Sequence, residues 1–291
     1  MTVAQKLLRW YDRHGRDLPW RNTRDPYKIL VSEIMLHQTQ VSRALIFYPR
    51  WLKQFPNWKA LAKASNTKVI RAWSGLGYNR RALALRDIAK QTMEQGIPST
   101  EQEWLALKGI GPYTAAALAA FSGHEKTLPI DTNIRRVLGR MLLGKPFPQF
   151  TDDKRIRSLG MDDWSRITKF YDIPQALFDL ANSHCKKRPD CETCPLRQDC
   201  LAAKKFLNGT VRVPRQMIKK SIEKIHRNKK YPDRIYRGKI LKVINEKKRV
   251  SIKSLAQQID PTYKDRVDRI WLQKMVHRMI KDRLITKDQI V

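Results

Sequence analysis

All four cysteines of the chain fall between positions 185 and 200, in CKKRPDCETCPLRQDC. No other feature constrains the fold as strongly. Four thiols on one short loop can enclose a metal centre, and the chain on both sides must then be compatible with that centre. Cys185 is followed after five residues by Cys191, after two by Cys194 and after five by Cys200. Zinc is the simpler reading, but zinc sites usually pair two C-x-x-C units. A single C-x-x-C with one cysteine on each side suits an iron-sulfur cluster better. Lys186, Lys187, Arg188 and Arg197 make the same loop strongly positive.

That charge belongs to a general excess. The chain carries 59 Lys and Arg against 27 Asp and Glu, a formal charge of +32 over 291 residues. Such a surplus points to a polyanionic partner, with nucleic acid first. A membrane surface is the rival, but no apolar segment reaches the ~18 residues needed to span a bilayer and no lipidation motif is visible. The N-terminus, MTVAQKLLRWYDRHGRD, lacks an apolar signal core. A soluble protein of the cytoplasm is expected, where clustered cysteines more often hold metal than form disulfides.

Two carboxylates stand out against this basic background. Glu33 lies in an apolar run, Ile29 to Leu36, that stops at His37, Gln38, Thr39 and Gln40. An isolated ionised acid is costly to bury, so such a group pairs, keeps a proton, reaches solvent or faces a cavity that uses its charge. Asp131 precedes the helically spaced Ile134, Val137 and Leu138 and is placed to cap that helix. Between them, LALKGIGPYTAAALAAF (residues 105–121) reads as a tight glycine turn leading into a helix, with Pro112 at its first position. Gly109 and Gly111 let the backbone approach an anion, free N–H groups at the helix start would face it, and Lys108 beside them is a further candidate DNA contact. A DNA phosphate fits; a plain helical hairpin without ligand is the alternative.

Taken in order, SEIMLHQTQV, GLGYNRRA (residues 75–82), LKGIGPYTAAA, PIDTNIRRV and the cysteine loop closely resemble the adenine DNA glycosylases of the MutY family. These enzymes belong to the helix-hairpin-helix superfamily that includes endonuclease III. The resemblance runs from about Leu7 to Cys200. It implies an all-α, two-lobed fold: a six-helix barrel over residues 22–136, and a lobe of residues 1–21 and 137–203 carrying a [4Fe-4S] cluster on Cys185, Cys191, Cys194 and Cys200. Double-stranded DNA with a mismatched or damaged base pair would lie across the cleft between the lobes, with the target adenine flipped out.

The resemblance also implies roles. Glu33 matches the acid that protonates the purine, and Asp131 matches the carboxylate that stabilises the cationic sugar. Tyr113 and Asn133 match residues that orient the sugar, the water and Asp131. Gln38 and Tyr78 match residues that wedge into the base stack. The strand-cutting relatives have a lysine where Tyr113 stands, and a phenol cannot form a Schiff base. Base removal without strand cleavage is therefore expected.

Three departures bear on this reading. The first cysteine spacing is one residue short of the family's usual six, and His37-Gln38 replaces the usual pair of glutamines, so that His37 is a candidate DNA contact without an assigned role. The third departure is larger, because the 91 residues after Cys200 do not resemble the family's usual 8-oxoguanine-recognition domain. Residues 204–231 read as a basic linker. Residues 232–291 read as helix, strand (RVSI), helix, helix and a final strand in ITKDQIV, which resembles a DNA-binding winged helix; a helical cap on the core is the alternative. The leading substrate is adenine opposite guanine or 8-oxoguanine. A thymine or uracil mismatch glycosylase of the same superfamily and a non-catalytic DNA-binding protein are the other readings. Nothing in the sequence forces a dimer, and a monomer is expected.

Overall fold

The computed structural model describes residues 1–215, 223, 225–226 and 229–291. It is all-helical, as expected: among the described residues the only β-pairing is an isolated parallel bridge between Val250 and Ile290. Two compact units are formed. One comprises Met1–Glu33 with Gly96–Lys220, the other Ile34–Gln95 with Ser221–Val291. The basic stretch 204–231 lies partly outside the described residues.

In the first unit, α1 (Val3–His14) starts with a reciprocal cap between Thr2 and Gln5. Its apolar side, Ala4, Leu7 and Leu8, enters a core shared with α9 (Thr132–Leu143), α10 (Asp153–Trp164) and α11 (Ile173–Ser183). A buried ion pair fastens that core to the chain after α1: Asp179 of α11 accepts from Arg21 Nη1 at 2.7 Å and from the Arg16 backbone N–H at 2.9 Å. The helical hairpin is α7 (Glu101–Ala106) and α8 (Pro112–Phe121). Gly109 turns between them at φ +103°, a conformation that side chains with a Cβ rarely adopt. Gly111 is the N-cap of α8 and Pro112 its first residue. The eight residues Thr114–Phe121 are all buried, which is why this helix is rich in alanine.

The chain passes between units within α2 (Pro26–Leu36), after Glu33. The second unit then contains α3 (Val41–Gln54), α4 (Trp58–Ala62), α5 (Asn66–Trp73) and α6 (Arg80–Gln95). Trp51 stands edge-on to Trp73, with ring centres 5.2 Å apart, at the aromatic centre of this part.

The C-terminal segment of the same unit folds as α13 (Asp233–Lys247), α14 (Ile252–Ile259) and α15 (Asp265–Lys281), following the short α12 (Ala203–Leu207) of the first unit. The three helices match the periodicity read from the sequence. The two strands do not form. RVSI contributes only Val250, which donates to Gln289 O and accepts from Val291 N–H; Arg249 and Ser251 have no strand beside them to pair with. Lys248 takes up φ +61° as α13 ends, so the chain turns immediately before the bridge.

Candidate active site

The first unit brings Glu33, Tyr113 and Asp131 together. Asp25 starts α2 by accepting from Tyr27 N–H at 2.9 Å, and Pro26 takes the first helical position, where its missing N–H costs nothing. This sets the helix so that Ile29 through Met35 are all buried, Glu33 included at 7% exposure. The hairpin turn supplies its partner: on the first turn of α8, the Tyr113 hydroxyl donates to Glu33 Oε2 at 2.8 Å. Burial pushes the Glu33 carboxyl up to about 7; the Tyr113 hydrogen bond opposes this shift and the negative Asp131 adds to it. The Tyr113 phenol is held well above its usual range by burial and by the same two carboxylates.

Asp131 has a different environment. As the N-cap of α9 it accepts from the backbone N–H groups of Asn133 and Ile134, both at 2.8 Å, and from Asn133 Nδ2 at 2.7 Å. Burial raises its pKa, but all three hydrogen bonds and the positive Arg136 favour the ionised form. One acid is therefore poised to hold a proton near neutrality, while the other is braced as an anion. Burial raises both carboxyls, but only Asp131 is met by several donors, and paired carboxyls in unequal surroundings can divide acid and anion roles.

Asn133 is itself held. Arg136, one turn further along α9, donates through Nη2 to Asn133 Oδ1 at 3.1 Å and through Nε to the Cys185 carbonyl at 2.6 Å. A continuous path of hydrogen bonds thus runs from the cysteine loop to Asp131. Arg140, buried one turn on, donates to the carbonyls of Lys186 and Lys187 and lies 3.4 Å from Cys185 Sγ.

The four cysteines are free and half-buried. Burial, reinforced by the charges of Cys185, Cys200 and Cys191, pushes Cys194 up to about 11, with the Leu196 N–H acting against it. Cys191 and Cys200 are raised by the same crowding. The thiols therefore stand within electrostatic reach of one another. Among the described residues no group of three or more His, Cys, Asp or Glu side chains is arranged to hold a metal ion. Four thiols grouped in this way, with backbone N–H groups directed at Cys194 and Cys200, have the donor chemistry of a metal-binding loop.

The second unit holds the remaining candidates. Gln38 and Tyr78 are exposed non-glycine residues in left-handed backbone, at φ +58° and +48°. Each sits on a turn, one closing α2 and one opening α6, and Arg81 of α6 ties both turns. Its Nη1 donates to the carbonyls of Ile34 (3.0 Å), Met35 (3.3 Å) and His37, and its Nη2 to Thr39 Oγ1 and Gly77 O, both at 3.1 Å. Its guanidinium also lies 5.4 Å from the Trp73 ring centre and 5.3 Å from that of Tyr78. Arg81 carries no local mark in the sequence; its place is set by two left-handed turns whose carbonyls need a planar, multidentate donor. His37 is half-buried, and burial and the positive Arg81 lower its pKa. Lys108 and Gly109 are exposed, and a Cβ on Gly111 would meet nothing within 4 Å, so the hairpin leaves its backbone open to approach.

Residues 31–160 match the HhH-GPD superfamily base excision DNA repair proteins. The adenine DNA glycosylase of Mycolicibacterium smegmatis is 33% identical over 282 residues, spanning 94% of this chain and 87% of that protein. The adenine DNA glycosylase of Mycobacterium tuberculosis is 36% identical over 195 residues, covering 65% of this chain and 64% of the relative. The mouse adenine DNA glycosylase is 33% identical over 72% of this chain but only 43% of its own length. Among solved structures, a thermostable thymine-DNA glycosylase superposes with a TM-score of 0.64 at 26% identity, over 69% of this chain and 95% of that one. Endonuclease III bound to DNA shares the fold, with a TM-score of 0.58, 16% identity, and coverage of 72% and 100%.

Proposed function

Because the chain belongs to the adenine DNA glycosylase family, we propose that it is a monofunctional DNA glycosylase of base excision repair. It hydrolyses the N-glycosidic bond of adenine mispaired with guanine or 8-oxoguanine in duplex DNA. The observation that carries this reading is the Tyr113–Glu33 hydrogen bond beside Asp131, within one unit. Glu33, with its carboxyl raised to about 7, delivers a proton to the extruded purine and makes it a better leaving group. Asp131, held as an anion by three donors, stabilises the positive sugar as the base departs, and water completes the hydrolysis. Asn133 fixes the direction of Asp131. Tyr113 orients Glu33 and offers no amine for a Schiff base, so strong cleavage of abasic DNA, trapped covalently by borohydride, would overturn the monofunctional assignment.

Cys185, Cys191, Cys194 and Cys200 would hold a [4Fe-4S] cluster. When bound, it would supply four bonds fastening the loop that presents Lys186, Lys187 and Arg188. Lys108, Gly109 and Gly111 meet a DNA phosphate, and Gln38 and Tyr78 enter the stack beside the extruded base, with His37 beside them. On this reading the enzyme acts as a monomer in the cytoplasm, on the nucleoid. No helix among the described residues is long and apolar enough to cross a membrane.

The likeness to a solved thymine-DNA glycosylase supports a second reading, removal of thymine or uracil opposite guanine. One single-turnover assay on duplexes carrying A:8-oxoguanine, A:G, T:G and U:G separates the two. Release of adenine alone is expected. Release of none of the bases by protein with its cysteine loop metallated would leave a DNA-binding protein without catalysis.

A further inference from the structure

Helix α15 is built with two faces. Trp271, Leu272, Met275, Val276 and Met279 point inward, and Trp271 stands edge-on to Tyr236 of α13 with ring centres 5.0 Å apart. The one acid on this buried side, Asp268, is taken up by Lys229, whose Nζ bonds Asp268 at 2.7 Å and Asp260 at 2.7 Å. The outward side consists of Arg266, Ile270, Gln273 and His277 along one helical stripe, flanked by Arg269 and Lys274. Ile270 is 65% exposed and Val267, next to the stripe, 63%. Among the described residues the only ion pair on this face is the loose Arg269–Asp265 contact at 3.8 Å.

A centre of Ile270 and Gln273 between cations, with Val267 on the Lys274 flank, is poorly suited to a solvated surface, where large aliphatic side chains gain nothing from exposure. It is well suited to a duplex. Cations spaced along both flanks of a helix meet phosphates on the two sides of a major groove, while an amide and aliphatic groups between them meet base edges and thymine methyls. Charge decides against an apolar protein surface, since burying this helix there would strand several unpaired cations.

The placement of α15 gives the contact a purpose. Just beyond its end, Asp282 pairs with Arg80 at 3.0 Å and Arg283 with Asp87 at 2.7 Å. Both partners lie on α6, the helix that carries Arg81 and follows the Tyr78 turn. At the other side of the segment, Arg234 of α13 lies within electrostatic range of Tyr78. The C-terminal helices are thus fastened to the element that organises the two exposed turns.

We propose that the outward face of α15, centred on Ile270 and Gln273 and flanked by Arg269 and Lys274, is a second duplex-DNA contact surface that docks in a major groove. The inference deepens the glycosylase reading by giving the enzyme a grip on DNA independent of the mispair. Its test therefore uses a duplex without any mispair. Binding of the full-length protein is followed by fluorescence anisotropy over a range of salt concentrations. Replacing two phosphate-contacting cations in R269A/K274A should weaken binding about tenfold and reduce the slope of log K against log salt by about two. The charge-conserving R269K/K274R should retain both. Because these side chains are exposed, an unchanged thermal melt shows that each variant is folded. An unchanged affinity and slope in R269A/K274A would overturn the proposal. So would a variant that changes only the sedimentation coefficient, which would make this a face between copies of the chain. Base release does not enter the measurement: if Glu33→Gln left excision intact while the α15 variant lost affinity, the catalytic assignment would fall and the docking surface would stand.

Discussion

The carboxylate site of the first unit and the paired turns of the second solve opposite problems. Around Glu33 the fold removes water: the acid is 7% exposed in a helix stretch that is buried throughout, and its proton affinity rises as a result. Around Gln38 and Tyr78 the fold keeps the side chains in water and fixes the backbone instead, with one arginine bonded to both turns. A group that moves protons needs a tuned environment. A group that displaces a base needs a rigid mount and a free tip. Substitutions should therefore affect the first site through pH and rate, and the second through geometry.

The largest effect is expected at the buried acid. Glu33→Gln should lower the single-turnover rate on an A:8-oxoguanine duplex about 10²- to 10⁴-fold, the range for a positioned general acid. It should also stabilise the fold, with a definite pH dependence. The carboxyl titrates at about 7 in the fold and at 4.5 in its ordinary state. The stability that goes with its proton is therefore complete below 4.5 and is lost as pH rises towards 7. Removing the acid should recover about 3 kcal/mol at pH 8 and almost nothing at pH 4. Thermal melts of both proteins at the two pH values check this. A variant that is dead but no more stable at pH 8 would mean that Glu33 is not a strained buried acid.

Arg81→Ala comes next and tests the other half of the contrast. Losing the clamp should free both turns and lower the rate about 10²-fold, the scale of an ångström of misplacement. The pH at which the rate falls should not move. Arg81→Lys should not restore activity, since one ammonium cannot reach the carbonyls of Ile34, His37 and Gly77 together as a planar fork does. Fluorescence of a 2-aminopurine at the target position reports extrusion directly. If that signal survives in the alanine variant, the turns do not depend on the clamp.

The two regions also differ in how far they could be read from the chain alone. Glu33 is legible because an acid in an apolar run is a local anomaly, and Asp131 because a cap followed by helical spacing is a local pattern; both show in a window of about ten residues. The three C-terminal helices are legible for the same reason. Arg81 is not, because its function depends on carbonyls from Ile34 to Gly77 converging in space, and RR in GLGYNRRA has no periodicity to mark it. The expected strands at RVSI and ITKDQIV failed for a related reason. Alternation describes a strand's preference, but a strand exists only where a neighbour pairs with it, and here that holds only for Val250 with Ile290.

Tyr113→Phe should have a smaller effect, with a direction that is harder to mistake. The phenol donates to Glu33 and so favours its ionised form. Without it the acid should hold its proton to higher pH. The rate, level just below pH 7, falling about tenfold per unit above it and falling again at acid pH as Asp131 takes a proton, should keep its plateau to a higher pH in the variant, at a plateau value about tenfold lower because the acid is less well oriented. A limb that moves to lower pH would contradict the observed donor and acceptor roles.

The smallest effect is expected at His37, where the two regions meet in sequence. Its carbonyl accepts from Arg81, and any residue provides a carbonyl. Its ring, half-buried and with its pKa lowered by burial and by Arg81, is neutral at physiological pH and offers no charge to a phosphate. His37→Gln should therefore change duplex affinity by less than about twofold, within the ±0.5 kcal/mol usual for surface positions, and leave the salt slope unaltered. A fall of one unit in that slope would mean that bound DNA recharges the ring, and the boundary between a tuned interior and a rigid exterior would then have to be drawn on the other side of residue 37.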